Sequence, residues 1–242
     1  MESIQKLAVP IAIVIAGALI AGAVYFASIG RGPSTGIPAA GAQPSVDIKD
    51  VKITAEDPFI GNANAPVTIA YWSDYQCPFC KAFEVGGVPQ IPVPAAMPTI
   101  IKDYVDTGKV KIVFKDYSFL GNDSTTAALY EHAVWDLYPA KFYAWREAMF
   151  KAQDEEGDKG FGNEDSILKL TATISGIDAA RVKAQVAAKK DAYTQSMNDD
   201  RQEGASFGVQ GTPGFIIGKQ LIAGAQPLAS FTAAIDAELK KK

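Results

Sequence analysis

The hydrophobic pattern changes character several times along the chain. Between Lys6 and Arg31 run 24 residues without a charge, LAVPIAIVIAGALIAGAVYFASIG. A helix needs about 20 apolar residues to cross a hydrocarbon core, and the apolar core of a signal peptide is shorter, about 7–15. The pattern therefore predicts a single N-terminal transmembrane helix over residues 1–29, retained as an anchor; Ala21-Gly22-Ala23 leaves a cleavage site as the alternative. One lysine before the span and one arginine after it are too few to set its orientation. Residues 30–50 alternate Pro33, Pro38 and Pro44 with Gly32, Gly36 and Gly41, the composition of a partly extended, partly flexible linker. A folded domain is expected over 51–242.

Within that domain, residues 67–72 (VTIAYW) are β-branched and aromatic and predict a buried strand. A short loop follows, with a helix starting near Cys77. After Glu84 comes VGGVPQIPVPAAMPT, whose Gly86, Gly87, Pro89, Pro92, Pro94 and Pro98 end that helix and predict a loop beside it. Residues 109–115 alternate polar and apolar as a strand does. Apolar spacing of three and four predicts helices over 125–138, 140–153, 164–175 and 178–190, punctuated by Gly157, Gly160 and Gly162. Residues 228–239 read as a closing amphipathic helix.

Composition narrows the function classes. With 48% hydrophobic and 21% charged residues the chain is not disordered throughout. Its formal net charge of −4 lacks the basic stripe of a nucleic-acid binder, and the cluster Lys240, Lys241 and Lys242 reads as a solvated helix end. Two cysteines cannot staple a disulfide scaffold. A structural zinc site takes four ligands, whereas the chain has two Cys and one His, His132, so no metal is expected.

Chemistry concentrates in Cys77-Pro78-Phe79-Cys80. A helix N-terminus carries about half a positive charge and unpaired N–H groups, which stabilise a thiolate, so Cys77 is the expected nucleophile. Pro78 suits the first helical turn, where its missing N–H is no loss, and Pro78 with Phe79 forms the active-site loop. Cys80, one turn further in, is the expected resolving thiol. A CxxC alone also occurs in metal sites; strand, loop and helix around it favour redox chemistry.

These residues carry a family resemblance. WSDYQCPFCKAFE resembles the active-site stretch of DsbA-like thiol:disulfide oxidoreductases of the thioredoxin superfamily, in their membrane-tethered branch. GVQGTPGFIIG at 208–218 resembles their cis-proline loop and following strand. The resemblance covers roughly 57–241. It implies an α/β chain: a thioredoxin fold with a helical insertion over about 120–205, preceded by the transmembrane helix. It implies a cis bond at Thr212-Pro213, with Thr212 and Pro213 binding substrate as an added strand. The redox-active disulfide Cys77–Cys80 would be the working group, with no other cofactor. Exported proteins with cysteine thiols would be the substrates, and a membrane quinone-linked thiol oxidase the partner. The domain would face the periplasm or cell exterior from a single-pass position in the cell membrane, because stable disulfides belong to oxidising compartments.

Three positions depart from the family pattern. Phe79 replaces a frequent His and gives the thiolate no positive charge or polar donor, so a less oxidising disulfide is expected. Tyr71 stands six residues before Cys77, where related families keep an acid, which leaves the proton acceptor for Cys80 open. Asp74 is expected to cap or organise the loop. His132 reads as a packed or solvent-facing helical residue, and Trp135, Tyr138, Phe142, Tyr143, Trp145 and Phe150 read as core. Two alternatives to a disulfide donor stand: a reductase or isomerase of the same fold, and a tethered chaperone module in which the cysteine pair is a structural clip.

Overall fold

The computed structural model describes residues 46–154 and 160–241, all within one unit, Pro44–Lys242. The expected anchor over 1–29 and the linker up to residue 45 lie outside the described residues. Among the described residues no helix is long and apolar enough to cross a membrane. The chain joins the folded unit ahead of the expected start at residue 51: Val46 and Val51 are buried, and Ile48 N–H donates to Gly218 O at 2.7 Å.

Five strands form one sheet in the order β1-β3-β2-β4-β5. They are β1 (Phe59–Gly61), β2 (Val67–Ser73), β3 (Val110–Asp116), β4 (Gly214–Ile217) and β5 (Gln220–Ala223). The central strand β2 runs parallel to β3, with Ile69 opposite Ile112, and antiparallel to β4, with Tyr71 opposite Phe215. β1 and β5 are antiparallel edges. Successive side chains on a strand point to opposite faces. Val67, Ile69 and Tyr71 therefore pack on one face with Phe83, Ile100, Phe231 and Ile235, and Ala70 and Trp72 pack on the other with Val46, Tyr117 and Val209. Burial on both faces is why β2 reads as a near-continuous apolar run.

Seven α-helices accompany the sheet among the described residues. The first, α1 (Pro78–Glu84), starts directly after β2 and a short loop. It stops where Gly86 takes φ 72°, a left-handed conformation that costs glycine little. The irregular, proline-rich stretch 85–96 follows, as expected. The chain turns helical again at α2 (Met97–Ile100), extended by a π-helical turn over Ile101–Val105. Four helices lie between β3 and β4: α3 (Asn122–Leu137), α4 (Phe142–Ala152), α5 (Glu164–Ala172) and α6 (Ala179–Ser206). They enclose a second core containing Trp145, Phe150, Ile167, Val182 and Met197. α7 (Leu228–Leu239) closes the chain against the sheet.

Two elements differ from the sequence reading. β1 has three residues, too few to show an alternation. α6 continues well past the expected end at residue 190. Its later turns are polar, yet Tyr193, Met197, Asp200 and Gly204 repeat at helical spacing and are buried. Tertiary packing of that narrow stripe overrides the weak local signal.

Candidate active site

The loop between β2 and α1 is built around Asp74. Its buried carboxylate accepts from the backbone N–H groups of Gln76 at 2.8 Å, Phe119 at 2.9 Å and Leu120 at 3.2 Å. Burial pushes its pKa up, and these hydrogen bonds oppose the shift. Asp74 thus ties the cysteine loop to the segment after β3, the organising role expected from sequence. The loop is also held from the helical insert: Gln153 Nε2 donates to Tyr75 O at 2.7 Å, and Gln76 Nε2 donates to Phe161 O at 2.9 Å.

Cys77 is the N-cap of α1, with Pro78 in the first turn. The structure holds the pair as two free thiols. Cys77 Sγ lies 3.2 Å from the carbonyl oxygen of Thr212, and the Thr212–Pro213 peptide is cis. The topology explains this approach, because β4 begins at Gly214 and pairs with β2, ahead of Cys77.

The two sulfurs are unequal. The Cys77 pKa is lowered, first by the hydrogen bond from the Cys80 thiol, then, against burial, by Thr212 and the N–H groups of Cys80 and Phe79. The Cys80 pKa is pushed well up, first by burial and then by its hydrogen bond to Cys77. Cys77 retains 4% exposure and Cys80 none, so an incoming group can reach only the first. Between them Phe79 is 48% exposed, and Phe119, which sequence reading did not single out, is 44% exposed on the loop bound by Asp74. Pro78 and Lys81 also border a cavity of about 420 Å³ whose other wall is loop residues 87–90 with Gln153 and Asp154.

Behind the cysteines lies a buried ionic cluster missed at the level of sequence. Arg146, on α4, has no exposure. Its guanidinium donates to Glu84 at 2.8 Å, Glu131 at 2.9 Å, Ser73 Oγ at 2.8 Å and the Tyr75 hydroxyl at 3.3 Å. Its Cζ lies 4.2 Å from the Phe114 ring centroid and 5.1 Å from that of Tyr71, cation–π distances in a desolvated site. Glu84 is on α1, four residues after Cys80. A charge set among Trp145, Met149 and Phe150, in a stripe otherwise apolar, was the available signal for this cluster.

His132 is buried, 2.7 Å from Asp116, and stacked on Tyr193 with ring centroids 5.1 Å apart. Asp116 holds its pKa up at about 9 in spite of burial. It is a packed residue committed to an ion pair. Phe142, Trp145 and Phe150 are core residues, and Trp135, Tyr138 and Tyr143 pack half-buried against that core. Among the described residues no group of three His, Cys, Asp or Glu is arranged to hold a metal ion.

A reactive thiol at a helix N-terminus, a sealed second thiol one turn on, and a cis-proline loop across from them on this sheet make the chain a thiol:disulfide oxidoreductase. It belongs to the thioredoxin family, whose model, described as Thioredoxin, matches residues 54–237. It is 26% identical over 185 residues to disulfide bond formation protein D of Bacillus subtilis, covering 76% of this chain and 78% of that protein. Identity to a probable disulfide bond formation protein D of Bacillus anthracis is 25% over 183 residues, covering 75% of this chain and 78% of that protein. The crystal structure of oxidised BdbD from Bacillus subtilis superposes with a TM-score of 0.65 at 26% identity, covering 76% of this chain and 94% of that one. The thiol-disulfide exchange protein α-DsbA2 of Wolbachia pipientis gives 0.62 at 30% identity, covering 76% and 87%. Proteins bearing cysteines are accordingly its substrates.

Proposed function

We propose that the chain donates disulfides to exported proteins from a membrane-anchored position, through Cys77 and Cys80. The observation that carries this reading is the inequality of the two thiols: Cys77 is lowered, lies beside Thr212 and keeps a little exposure, whereas Cys80 is raised and wholly sealed. A low thiol pKa stabilises the reduced form, as in strong oxidases. In the forward reaction a substrate thiolate attacks Cys77 of the Cys77–Cys80 disulfide, Cys80 leaves, and a mixed disulfide forms at Cys77. A second substrate thiolate then attacks the substrate sulfur, Cys77 leaves as a thiolate, and the enzyme departs reduced. The Thr212 backbone beside Cys77 suits an extended substrate segment added as a strand, with Pro213 shaping that edge. No cofactor beyond the cysteine pair is needed for this chemistry.

The uncharged run ahead of Arg31 supports an anchor, and disulfide donation supports a domain facing the periplasm or cell exterior. Reoxidation needs an electron acceptor, for which a quinone-linked thiol oxidase in the same membrane is proposed. Phe79, exposed and without a polar atom to offer the thiolate, favours a second reading as a reductase or isomerase.

The deciding experiment is the equilibrium redox potential of the full chain in glutathione buffers, with Cys77→Ser as control. A value near about −120 mV supports disulfide donation, and one near about −270 mV overturns that direction and makes the chain a reductase. Should Cys77→Ser keep full protection of an aggregating client, the chaperone reading replaces both.

A further inference from the structure

Exchange at Cys77 makes no use of the proline-rich stretch after α1, yet that stretch stands beside the reactive loop. α1 ends at Glu84, and the backbone N–H groups of Val85 and Gly86 both close on Lys81 O, at 2.8 and 3.0 Å. Gly86 and Gly87 then take φ 72° and 75° in succession, left-handed conformations open to glycine at little cost. A Cβ on Gly86 would stand 3.6 Å from that of Ala95, so the stretch leaves and returns to the same end of the helix.

Between those ends the chain is stiff. Pro89, Pro92 and Pro94 each have φ fixed by the ring and are exposed, whereas Ile91, Val93 and Ala95 are half-buried. Ile91 N–H donates to Val88 O at 2.9 Å and Val93 N–H to Ile91 O at 2.8 Å. With the prolines lacking a donor and these two donors spent inside the loop, its backbone is poorly suited to pairing with a substrate strand. It offers a preformed wall instead, and a wall already stiff loses little entropy on binding.

That wall bounds the cavity of about 420 Å³ beside the cysteine loop. Pro78, the residue after the nucleophile, lines it, and so do Gly87, Val88 and Pro89. Three of its polar members are engaged within the protein: Lys81 Nζ donates to Gln153 O at 2.6 Å, Gln153 Nε2 to Tyr75 O at 2.7 Å, and the Asp154 carboxylate accepts from Phe161 N–H at 2.7 Å. These bonds also hold the cavity against the cysteine loop, to which Tyr75 belongs. The hydrocarbon wall favours an apolar side chain over a charged one.

Strand geometry selects the substrate residue that reaches it. Thr212 O lies 3.2 Å from Cys77 Sγ, and a substrate strand laid along that backbone carries its own cysteine to Cys77. Side chains of a strand alternate between its faces, so the residue two positions from that cysteine faces the enzyme again, about 7 Å along. The first turn of α1, from Cys77 to Lys81, rises about 6 Å, which brings the cavity within that reach. We propose that the cavity is a specificity subsite for an aromatic or branched aliphatic side chain two residues from the substrate cysteine, with Val88 as the residue that sets its preference. The subsite is continuous with the exchange site through Pro78, and its far wall is supplied by the stretch that interrupts the helix after Glu84.

The test rests on the exchange chemistry proposed above and uses the full chain, oxidised at Cys77–Cys80. Single-turnover opening of the disulfide is timed with alanine-based peptides that carry one cysteine and Phe, Leu, Lys, Glu or Ala two residues before or after it, each rate expressed per thiolate. Phe and Leu should exceed Ala by about ten- to a hundredfold, the rate equivalent of burying one such side chain. The preference should appear on one side of the cysteine only, because the Thr212 backbone receives a strand in one direction. Val88→Trp fills the cavity and should abolish the preference. Val88→Glu should transfer it to the Lys peptide at the same position, a gain that a damaged fold cannot produce. Equal rates for Phe, Leu and Ala on both sides in wild type leave the cavity to some other occupant and overturn the subsite, as does a Phe preference that survives Val88→Trp; the exchange reading stands in either case. A wild-type disulfide that no peptide opens overturns both.

Discussion

Replacing Arg146 with Met tests how much of the fold depends on the buried ionic cluster. The side chain is fully buried and donates to two carboxylates, one on α1 and one on α3. Methionine keeps much of the volume among Tyr71, Tyr75, Phe114 and Phe150 but leaves Glu84 and Glu131 without their cation. Breaking a buried pair by removing one partner costs about 3–5 kcal/mol, which for a domain of this size lowers the thermal midpoint by about 6–20 °C. The loss should depend on pH with a definite sign. Burial pushes Glu131 up to about 7 against an ordinary 4.5, and the Arg146 charge is what most opposes burial at both Glu84 and Glu131. Without it both folded-state pKa values rise further. A carboxyl raised in the folded state destabilises it only above the unfolded pKa, so the variant should approach wild type as pH falls towards about 4.5. Urea unfolding of wild type and variant at pH 7.5 and pH 5 measures both effects. A loss below about 1 kcal/mol, or one equal at both pH values, would refute the assignment of the cluster as an ionised, buried pair.

Other consequences follow from single contacts. His132, at about 9 against its ordinary 6.5, adds stability that is complete below 6.5 and lost as pH rises towards 9, so the thermal midpoint of wild type should fall more steeply over that window than that of His132→Gln; parallel slopes would dismiss the pair's contribution. Cys80→Ala removes the largest cause of the lowered Cys77 pKa, and the pH midpoint for iodoacetamide alkylation of Cys77 should move up; no movement would assign the shift to Thr212 and the N–H groups of the helix terminus. Gly204→Ala places a Cβ 2.7 Å from Trp72 Nε1, on a buried indole already donating to Asp200 O at 2.9 Å. Overpacking costs about 1–3 kcal/mol, more than alanine gains over glycine in a helix, about 1 kcal/mol, so the melting temperature should drop. A rise would show that α6 can shift away from the sheet.

The parts of this molecule that sequence makes legible are those whose cause is local. β2 carries its own signal because both its faces are buried, and Cys77 can be placed at a helix start from Pro78 and the strand ahead of it. The approach of Thr212 to Cys77 is not local: the two are 135 residues apart, and only the resemblance of 208–218 to a known loop brought them together. The ion pairs were silent for the same reason. Lys115 meets Asp57 across 58 residues, and Arg146 meets Glu84 across 62. No periodicity encodes such a pair, beyond the presence of a charge where the pattern calls for an apolar residue. The far half of α6 was lost because its buried positions include Asp200 and Gly204, which a hydrophobic pattern does not count.

These silent pairs explain how a helical insert serves a redox site built on the sheet. Asp57, Lys115 and Asp116 belong to the sheet side, and Asp200 on α6 meets them, its carboxylate 2.6 Å from Lys115 Nζ and 3.0 Å from the backbone N–H of Asp116. Asp116 in turn holds His132 on α3, beside Glu131, which shares Arg146 with Glu84. Apolar burial alone would hold the insert against the sheet without fixing its position, because that force has no direction. Hydrogen-bonded charges have one, and a misplaced insert would leave several of them buried and unpaired. The same elements then reach the cysteine loop: Arg146 touches Tyr75, and Gln153 holds the Tyr75 carbonyl, two residues before Cys77. The position of the reactive sulfur is thus set from the sheet by Asp74 and Thr212 and from the insert by Arg146 and Gln153. The ionic seam keeps those two references in register.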